Sequence, residues 1–416
     1  MAIHQESHKP ERHMPSKGTN LFAQIIGMID RSAFARIVRR TGAERGAKGF
    51  RCWDQFVSMM FCQLGKAQSL REICGGLATS QGKLHHLGVK ASPKRSTLAY
   101  ANAHRPSTLF EELYYDTLKQ CQSTDWAKQG GCGLPQKRFR FKNKLFSLDT
   151  TFIELCLSLF PWARFRRAKG AVKLHLLLDH DGYLPSFVCI SDGKGTDRRV
   201  AKQAVNDELL VLPHGSIIVL DRGYNDFDLL AKWNAQGITF VTRLMPNAAY
   251  VVRKRFPTPY HRNNIRADQR IHYTGPLTSK KYPHALRRIV VYDRVQQQEL
   301  AFLTNNFELG ATTIASIYKD RWQIELFFKA LKQSLKIKTF VGTSINALKT
   351  QIWTALLAML LLKMMKARSR FAWSLSNLVA MLRFNLFTYR DLVDWLNAPY
   401  ETPPEIQDAQ LTLPGL

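Results

Sequence analysis

The run Ser216-Ile-Ile-Val-Leu220 places four large apolar residues in succession with no polar alternation. A strand with one wet face alternates, so an unbroken run of this length predicts a central strand covered on both faces. Leu145-Phe-Ser-Leu-Asp149, Phe152-Ile-Glu-Leu155, Lys173–Leu178 and Ser186–Ile190 read as further strands, the last two joined through an Asp181-Gly182 turn signal. A helix over 199–210 precedes the apolar run; a second, over 227–236, follows it and leads into Thr239–Thr242. Hairpin strands followed by alternating helix and strand predict a mixed sheet with helices packed on it, an α/β layer architecture.

The flanks have a different period. From Leu21 to about Thr117 the spacing is helical, with Leu21, Ile25, Ile29 and Phe34 on one buried face and Trp53, Val57, Met60, Phe61 and Leu64 on another. Ser69-Leu-Arg-Glu72 has the form of a capping box. Ser92-Pro93 opens a further helix with Pro at its first position, carrying Lys94, Arg95 and Arg105. Helix, turn and a polar-basic helix resemble a helix-turn-helix that reads a DNA groove; a plain helical bundle fits the same pattern. Residues 245–305, rich in Arg, Tyr, Pro and β-type residues, read as a β-rich insertion, and beyond Ala311 the chain is helical to about Leu396. The expected organisation is a disordered lead-in (1–17), a helical DNA-binding domain (18–130) joined by a linker at Gly130–Pro135, an α/β domain (137–350), and a helical C-terminal region with an acidic tail (351–416).

Sixty Lys and Arg against 32 Asp and Glu give a net charge of +28, which points to a polyanionic partner, nucleic acid first. The excess is spread: 17 basic against 6 acidic residues in 1–110, and 11 against 2 in 250–295. A duplex touched at several places is expected, not a single basic tail. Seven cysteines without a Cys-x-x-Cys pair suggest reduced thiols and a cytoplasmic protein. The apolar run Ile352–Leu362 is too short to span a bilayer and reads as a buried helix.

Phosphodiester chemistry on DNA can be run by divalent ions held on a few carboxylates. Two aspartates end apolar β-runs, Asp149 and Asp221, in the crevice where open α/β sheets bind ligands; most such residues merely begin turns. In the stretch 318–332, helical geometry brings Tyr318, Arg321, Glu325 and Lys332 within an arc of about 60°. Ile324, Phe327, Phe328, Leu331 and Leu335 fill the adjoining arc. One helix would thus pack on the sheet and present these four along its edge, although a solvated amphipathic helix has the same pattern.

The spacing Tyr318-x2-Arg321-x3-Glu325-x6-Lys332 resembles the YREK pattern of the insertion sequence 4 family of bacterial DDE transposases, as does Trp322 beside the Arg. Asp221-Arg222-Gly223-Tyr224 after an apolar strand and the strand-ending Asp149-Thr150 resemble that family's other two motifs, in the same order. The resemblance covers about 137–350; the helix with Ser96-Thr97-Leu98 and Asn102 is also similar to the N-terminal region of one branch. It implies an RNase H-like catalytic core with a β-rich insertion. It further implies Asp149, Asp221 and Glu325 as ligands for two Mg²⁺ (or Mn²⁺) ions, which would cut at the element's ends and transfer the 3′-hydroxyl into target DNA. Tyr318, Arg321 and Lys332 would bind phosphates near the scissile bond, with Arg222, Tyr224, Lys94, Arg95 and Arg105 as further DNA contacts. A homodimer on paired terminal inverted repeats, with contacts in Ala355–Leu396, and a place at the bacterial nucleoid follow from the same resemblance.

There is one departure. Relatives that cut through a DNA hairpin stack a flipped base on a Trp of the insertion, whereas 245–310 contains no Trp, only residues such as Tyr250, Tyr273 and Tyr292. Asp197 and His175 could line the site or be a helix cap and a satisfied core histidine. Asp179 and Asp181 read as turn residues, and His85-His86 near Cys74 lack zinc spacing. The rival readings are a non-catalytic DNA-binding relative and an RNase H-like nuclease that never joins strands.

Overall fold

The computed structural model describes residues 18–80, 82–123, 139–166, 169–258 and 264–401. The expected lead-in over 1–17, the linker at Gly130–Pro135, and the tail from residue 402 lie outside them. Contacts divide the chain into two units: the N-terminal helices together with residues from Trp353 onward, and residues up to Ile352 between them.

In the first unit, helices α1 (Leu21–Gly27), α2 (Arg31–Thr41), α3 (Cys52–Leu64), α4 (Leu70–Thr79), α5 (Arg95–His104) and α6 (Thr108–Ser123) follow one another. Side chains stop and start them: Asp30 accepts from the amides of Ser32 and Ala33 ahead of α2, and Gly42 closes it in the left-handed region at φ 62°. The Ser69 hydroxyl accepts from Glu72 N as the sequence implied, while the Glu72 carboxylate returns to Gln68 N. Two expectations change. Residues 80–94, including a short 3-10 turn at Leu84–Leu87, separate α4 from α5, whereas a helix-turn-helix uses a turn of three or four residues. Pro93 also precedes α5, whose N-cap is Lys94.

The second unit is built on a ten-stranded sheet. Its strands begin with β1 (Leu145–Leu155), β2 (Arg164–Arg166), β3 (Lys169–Asp179) and β4 (Leu184–Asp192). Helix α7 (Asp197–Asn206), β5 (Ile217–Leu220), α8 (Phe227–Ala235) and β6 (Thr239–Arg243) follow. Strands β4, β3 and β1 form an antiparallel meander, and β1, β5 and β6 run parallel. That is the strand order of an RNase H-like core. Ile217, Ile218, Val219 and Leu220 are all buried because both faces are covered. Ile218 and Leu220 pack with Phe146 and Leu148 against α7 and α8 residues such as Ala201, Leu230 and Trp233. Ile217 and Val219 pack with Leu145 against Ile314 and Ile317. Each fully buried side chain of this size contributes about 1.5–3 kcal/mol.

The insertion adds β7 (Tyr250–Arg255), β8 (Ile265–Tyr273), the short helix α9 (Pro276–Lys281), β9 (Leu286–Asp293) and β10 (Gln298–Thr304). These strands extend the same sheet beyond β6, through antiparallel pairing of β10 with β6. A buried pair pins them: Arg287 donates to both carboxylate oxygens of Asp268, at 2.8 and 2.7 Å, and to Leu309 O at 2.6 Å. Helices α10 (Ala311–Asp320) and α11 (Trp322–Ser334) cover the second face. The single helix expected over 318–332 is interrupted at Arg321, whose amide bonds to the carbonyls of Tyr318 and Lys319.

Helices α12 (Ile345–Arg368), α13 (Leu375–Asn385) and α14 (Leu392–Asn397) follow. α12 is long and apolar enough by composition to cross a membrane, and 83% of its most apolar window is buried within the protein. Its Trp353 ring lies 5.7 Å from both Tyr114 and Tyr115. The segment before α14 closes on α1: Leu21 and Phe22 donate to the carbonyls of Thr388 and Leu386, and Gln24 donates to Arg390 O and accepts from Leu392 N. The C-terminal helices and the N-terminal helices therefore share one core.

Candidate active site

Strand register brings the first two carboxylates together. Leu145 to Leu148 of β1 pair in parallel with Ile217 to Leu220 of β5, so the next residues in step are Asp149 and Asp221, on strands about 4.8 Å apart. The expectation that Asp149 ends its strand is corrected here. β1 continues to Leu155, paired with β3, and it is β5 that stops, leaving Asp149 at the open edge of the crevice.

Side chains alternate along a strand, so Ser147, Asp149 and Thr151 share the face of β1 that carries Leu145 toward α10. Each has a polar partner there. Ser147 Oγ lies 2.7 Å from His180 Nε2, whose Nδ1 is 2.9 Å from Asp320 at the end of α10. Arg321 Nη1 donates to Asp149 Oδ2 at 2.8 Å and Nη2 to Glu325 Oε1 at 2.5 Å. Lys332 Nζ donates to Thr151 Oγ1 at 2.6 Å. Arg321, Glu325 and Lys332 thus line one edge of the crevice, with Tyr318 a turn earlier, its ring 4.6 Å from that of Phe302.

The electrostatics mark a site short of positive charge. Burial pushes the Asp149 carboxyl up to about 6; Thr150 N and the Arg321 guanidinium oppose this, and the charges of Glu325 and Asp221 add to it. Burial also raises Tyr318, with Asp221 contributing and Arg321 opposing. Among the described residues no three of His, Cys, Asp and Glu stand together as a ready cation cage; the Arg321 guanidinium bridges Asp149 and Glu325. The donor set still fits a divalent ion. It offers hard carboxylate oxygens from three elements, and two of them already share a positive charge.

On the other face of β1, Thr150 Oγ1 bonds to His175 Nδ1 at 2.7 Å and to the Tyr224 hydroxyl, while His175 Nε2 meets Ser191 Oγ at 2.8 Å. Burial pushes His175 down to about 4, so it is a neutral, satisfied core histidine. Tyr224 is only 2% exposed; it ties the Asp221 turn to β1 and is not placed to touch DNA, whereas Arg222 is exposed. Arg105 is likewise spent inside its unit, donating to Phe50 O and to Gln55 Oε1, while Lys94 and Arg95 are exposed.

The smaller candidates also resolve. Asp197 does not cap α7 but accepts from the buried Lys173 at 2.7 Å. Asp179 accepts from Asp181 N, the bond of an Asx turn. The His85 and His86 rings lie against each other with no metal grouping among the described residues. Of the insertion tyrosines, Tyr273 is buried, while Tyr250 and Tyr292 are half-buried beneath Arg288 and Arg266. Sequence reasoning missed His180, Asp320, Ser147 and Lys173. Only the folding together of distant strands, turns and helices brings them to their partners, and no spacing announces it.

Comparison with known proteins gives the family. Residues 140–361 match the family model described as a transposase DDE domain, and residues 17–90 match a domain of unknown function, DUF4372. The chain belongs to the DDE-domain transposase family, whose members are divalent-metal-dependent DNA enzymes. It is a DNA transposase. Among its relatives is y4zB of Sinorhizobium fredii, named as a transposase, 29% identical over 340 residues that span 80% of this chain and 88% of that one. Another is named as the transposase for insertion sequence element IS5377 of Geobacillus stearothermophilus, 28% identical over 255 residues, 61% of this chain and 64% of that one. A cryo-EM structure of the piggyBac transposase synaptic complex with hairpin DNA aligns over 93% of this chain and 84% of that chain, with 12% identity and a TM-score of 0.45.

Proposed function

We propose that this transposase belongs to the insertion sequence 4 branch, cuts DNA at the ends of its element and joins the freed 3′-hydroxyl to target DNA, with Asp149, Asp221 and Glu325 as its metal-binding carboxylates. One observation carries the reading: the β1–β5 register brings Asp221 into step with Asp149, and Arg321 joins Asp149 to Glu325. A pair of Mg²⁺ (or Mn²⁺) ions held by these groups supplies Lewis acidity at the scissile phosphate.

The protein's own groups do the rest. Asp149 sits on a strand paired on both sides and Asp221 follows one, so their spacing is fixed before DNA arrives. Glu325 comes from the helix edge. The guanidinium of Arg321, with its planar fork, matches a phosphate as well as a carboxylate, so DNA entering the crevice offers it an alternative partner and releases Asp149 and Glu325. Lys332 provides a point charge beside Thr151, Tyr318 a hydroxyl, and Arg222 an exposed cation at the mouth. Lys94 and Arg95 contact DNA from the helical unit. Two copies act on paired ends, in the cytoplasm at the nucleoid; the free thiols of the described cysteines suit a reducing compartment.

The test uses purified full-length chain, Mg²⁺ and a duplex bearing the inverted repeats that flank the coding region. Glu325→Ala abolishes cutting and leaves end binding within about twofold; retained cutting refutes the assignment.

A further inference from the structure

Ser147, His180 and Asp320 form a hydroxyl–imidazole–carboxylate chain in the order found at nucleophilic serines. Burial rules out that use. Ser147 is 0% exposed, and the His180 and Asp320 side chains are 6% and 3% exposed, so no substrate atom reaches the hydroxyl. A polar chain in this position has to serve the fold around it, because burying such groups without partners costs about 1–3 kcal/mol each.

We propose that the three are positioning residues, a clamp that sets the distance between the strand bearing Asp149 and the helix pair bearing Arg321 and Glu325. Their places in the chain carry the argument. Ser147 is the same-face neighbour of Asp149 on β1. Asp320 is the last residue of α10 and directly precedes Arg321, where the helix is interrupted. His180 comes from the β3–β4 turn and is itself anchored, its amide donating to Leu145 O at 3.0 Å. A carboxylate only accepts, so His180 Nδ1 carries the proton given to Asp320, and a hydroxyl can give or take a proton, so Ser147 Oγ serves Nε2 in either role at 2.7 Å. The surrounding layer, Leu145, Ile314 and Ile317, is apolar. Apolar contacts tolerate sliding, whereas this pair of directional bonds is lost when α10 moves by a single turn, about 5.4 Å. The clamp therefore specifies which turn of α10–α11 faces Asp149, and hence whether Arg321 and Glu325 meet it.

The inference rests on Asp149 and Glu325 being the reacting carboxylates, and the experiment separates the two ideas. Full-length Ser147→Ala, Asp320→Ala and Asp320→Asn are compared for end binding, for single-turnover cutting of the bound duplex with Mg²⁺, and for hydrogen exchange of peptides over 311–334 without DNA. Ser147→Ala and Asp320→Ala slow cutting at least tenfold with end binding within twofold, and speed exchange in 311–334 at least fivefold while β8 and β9 are unchanged. Asp320→Asn, which keeps an acceptor for His180, recovers most of both. Should Asp320→Ala fail to fold, Ser147→Ala carries the test. Unchanged cutting, unchanged exchange, or losses that track end binding or exchange throughout the chain overturn the clamp. Cutting retained by Asp149→Asn would instead overturn the catalytic assignment, and the exchange measurement would still judge the clamp.

Discussion

Thr150 links two groups displaced in opposite directions: its amide donates to Asp149, and its hydroxyl bonds to His175. Asp149 is raised from 3.8 to about 6, and His175 is lowered from 6.5 to about 4. At about 1.4 kcal/mol per pH unit of displacement, each carries about 3 kcal/mol of pH-linked stability. The signs oppose. The folded state holds the Asp149 proton more tightly than the unfolded chain does, so that contribution is complete below pH 3.8 and is lost as pH rises through about 6. The unfolded chain holds the His175 proton more tightly, so that contribution is complete above pH 6.5 and is lost as pH falls through about 4. In the metal-free wild type the two nearly cancel between pH 4 and 6.5. Asp149→Asn removes one side and leaves stability rising by about 3 kcal/mol across that window; His175→Gln, less stable overall, leaves it falling by a similar amount. Urea unfolding in chelator at constant ionic strength, read by pulsed hydrogen exchange of β1 and β3 peptides, measures both within the catalytic unit. Parallel pH profiles for wild type and both variants would refute the opposed displacements.

Three further outcomes are expected. Arg287→Ala leaves the Asp268 carboxylate buried and unpaired, which costs about 3–5 kcal/mol and lowers the thermal midpoint of the catalytic unit, while Asp268→Asn with Arg287→Met costs less than Arg287→Ala alone. Tyr224→Phe loses one buried hydrogen bond, about 1 kcal/mol, and leaves end binding unchanged in a mobility-shift titration; a large loss of binding would return Tyr224 to the DNA surface. Lys332→Ala weakens binding to the ends and reduces the slope of log K against log salt by about 1, so an unchanged slope argues against a phosphate contact.

Elements whose identity depends on local pattern were legible in the sequence. The four-residue apolar run of β5 announced a strand covered on both sides, and the order of strands and helices announced the α/β core. Asp149, Asp221 and Glu325 were singled out by the apolar runs, the helical arc and the family resemblance together. What could not be read depends on contacts between distant segments. Two short β-runs around Asp149 proved to be one strand because β3 pairs along its whole length, carrying it past the turn-like Asp149-Thr150. Tyr224, polar in its motif, is drawn inward because Thr150 waits for its hydroxyl. Arg105 is basic by composition but structural by position, since the Phe50 carbonyl and Gln55 need a donor. His180 and Asp320 carry no signal at all, being separated by 140 residues and joined by a single bond.

The closing of the α13–α14 connection onto α1 sets a timetable for synthesis. The amides of Leu21 and Phe22 take their partners from Thr388 and Leu386, and the Phe22 and Phe61 rings rest near that of Phe387. A ribosome adding about 5–20 residues each second finishes α6 roughly 13–50 s before those partners emerge. Throughout that interval Phe22 and Phe61 lack the ring of Phe387, so the core of this unit closes only once the last helices have been made.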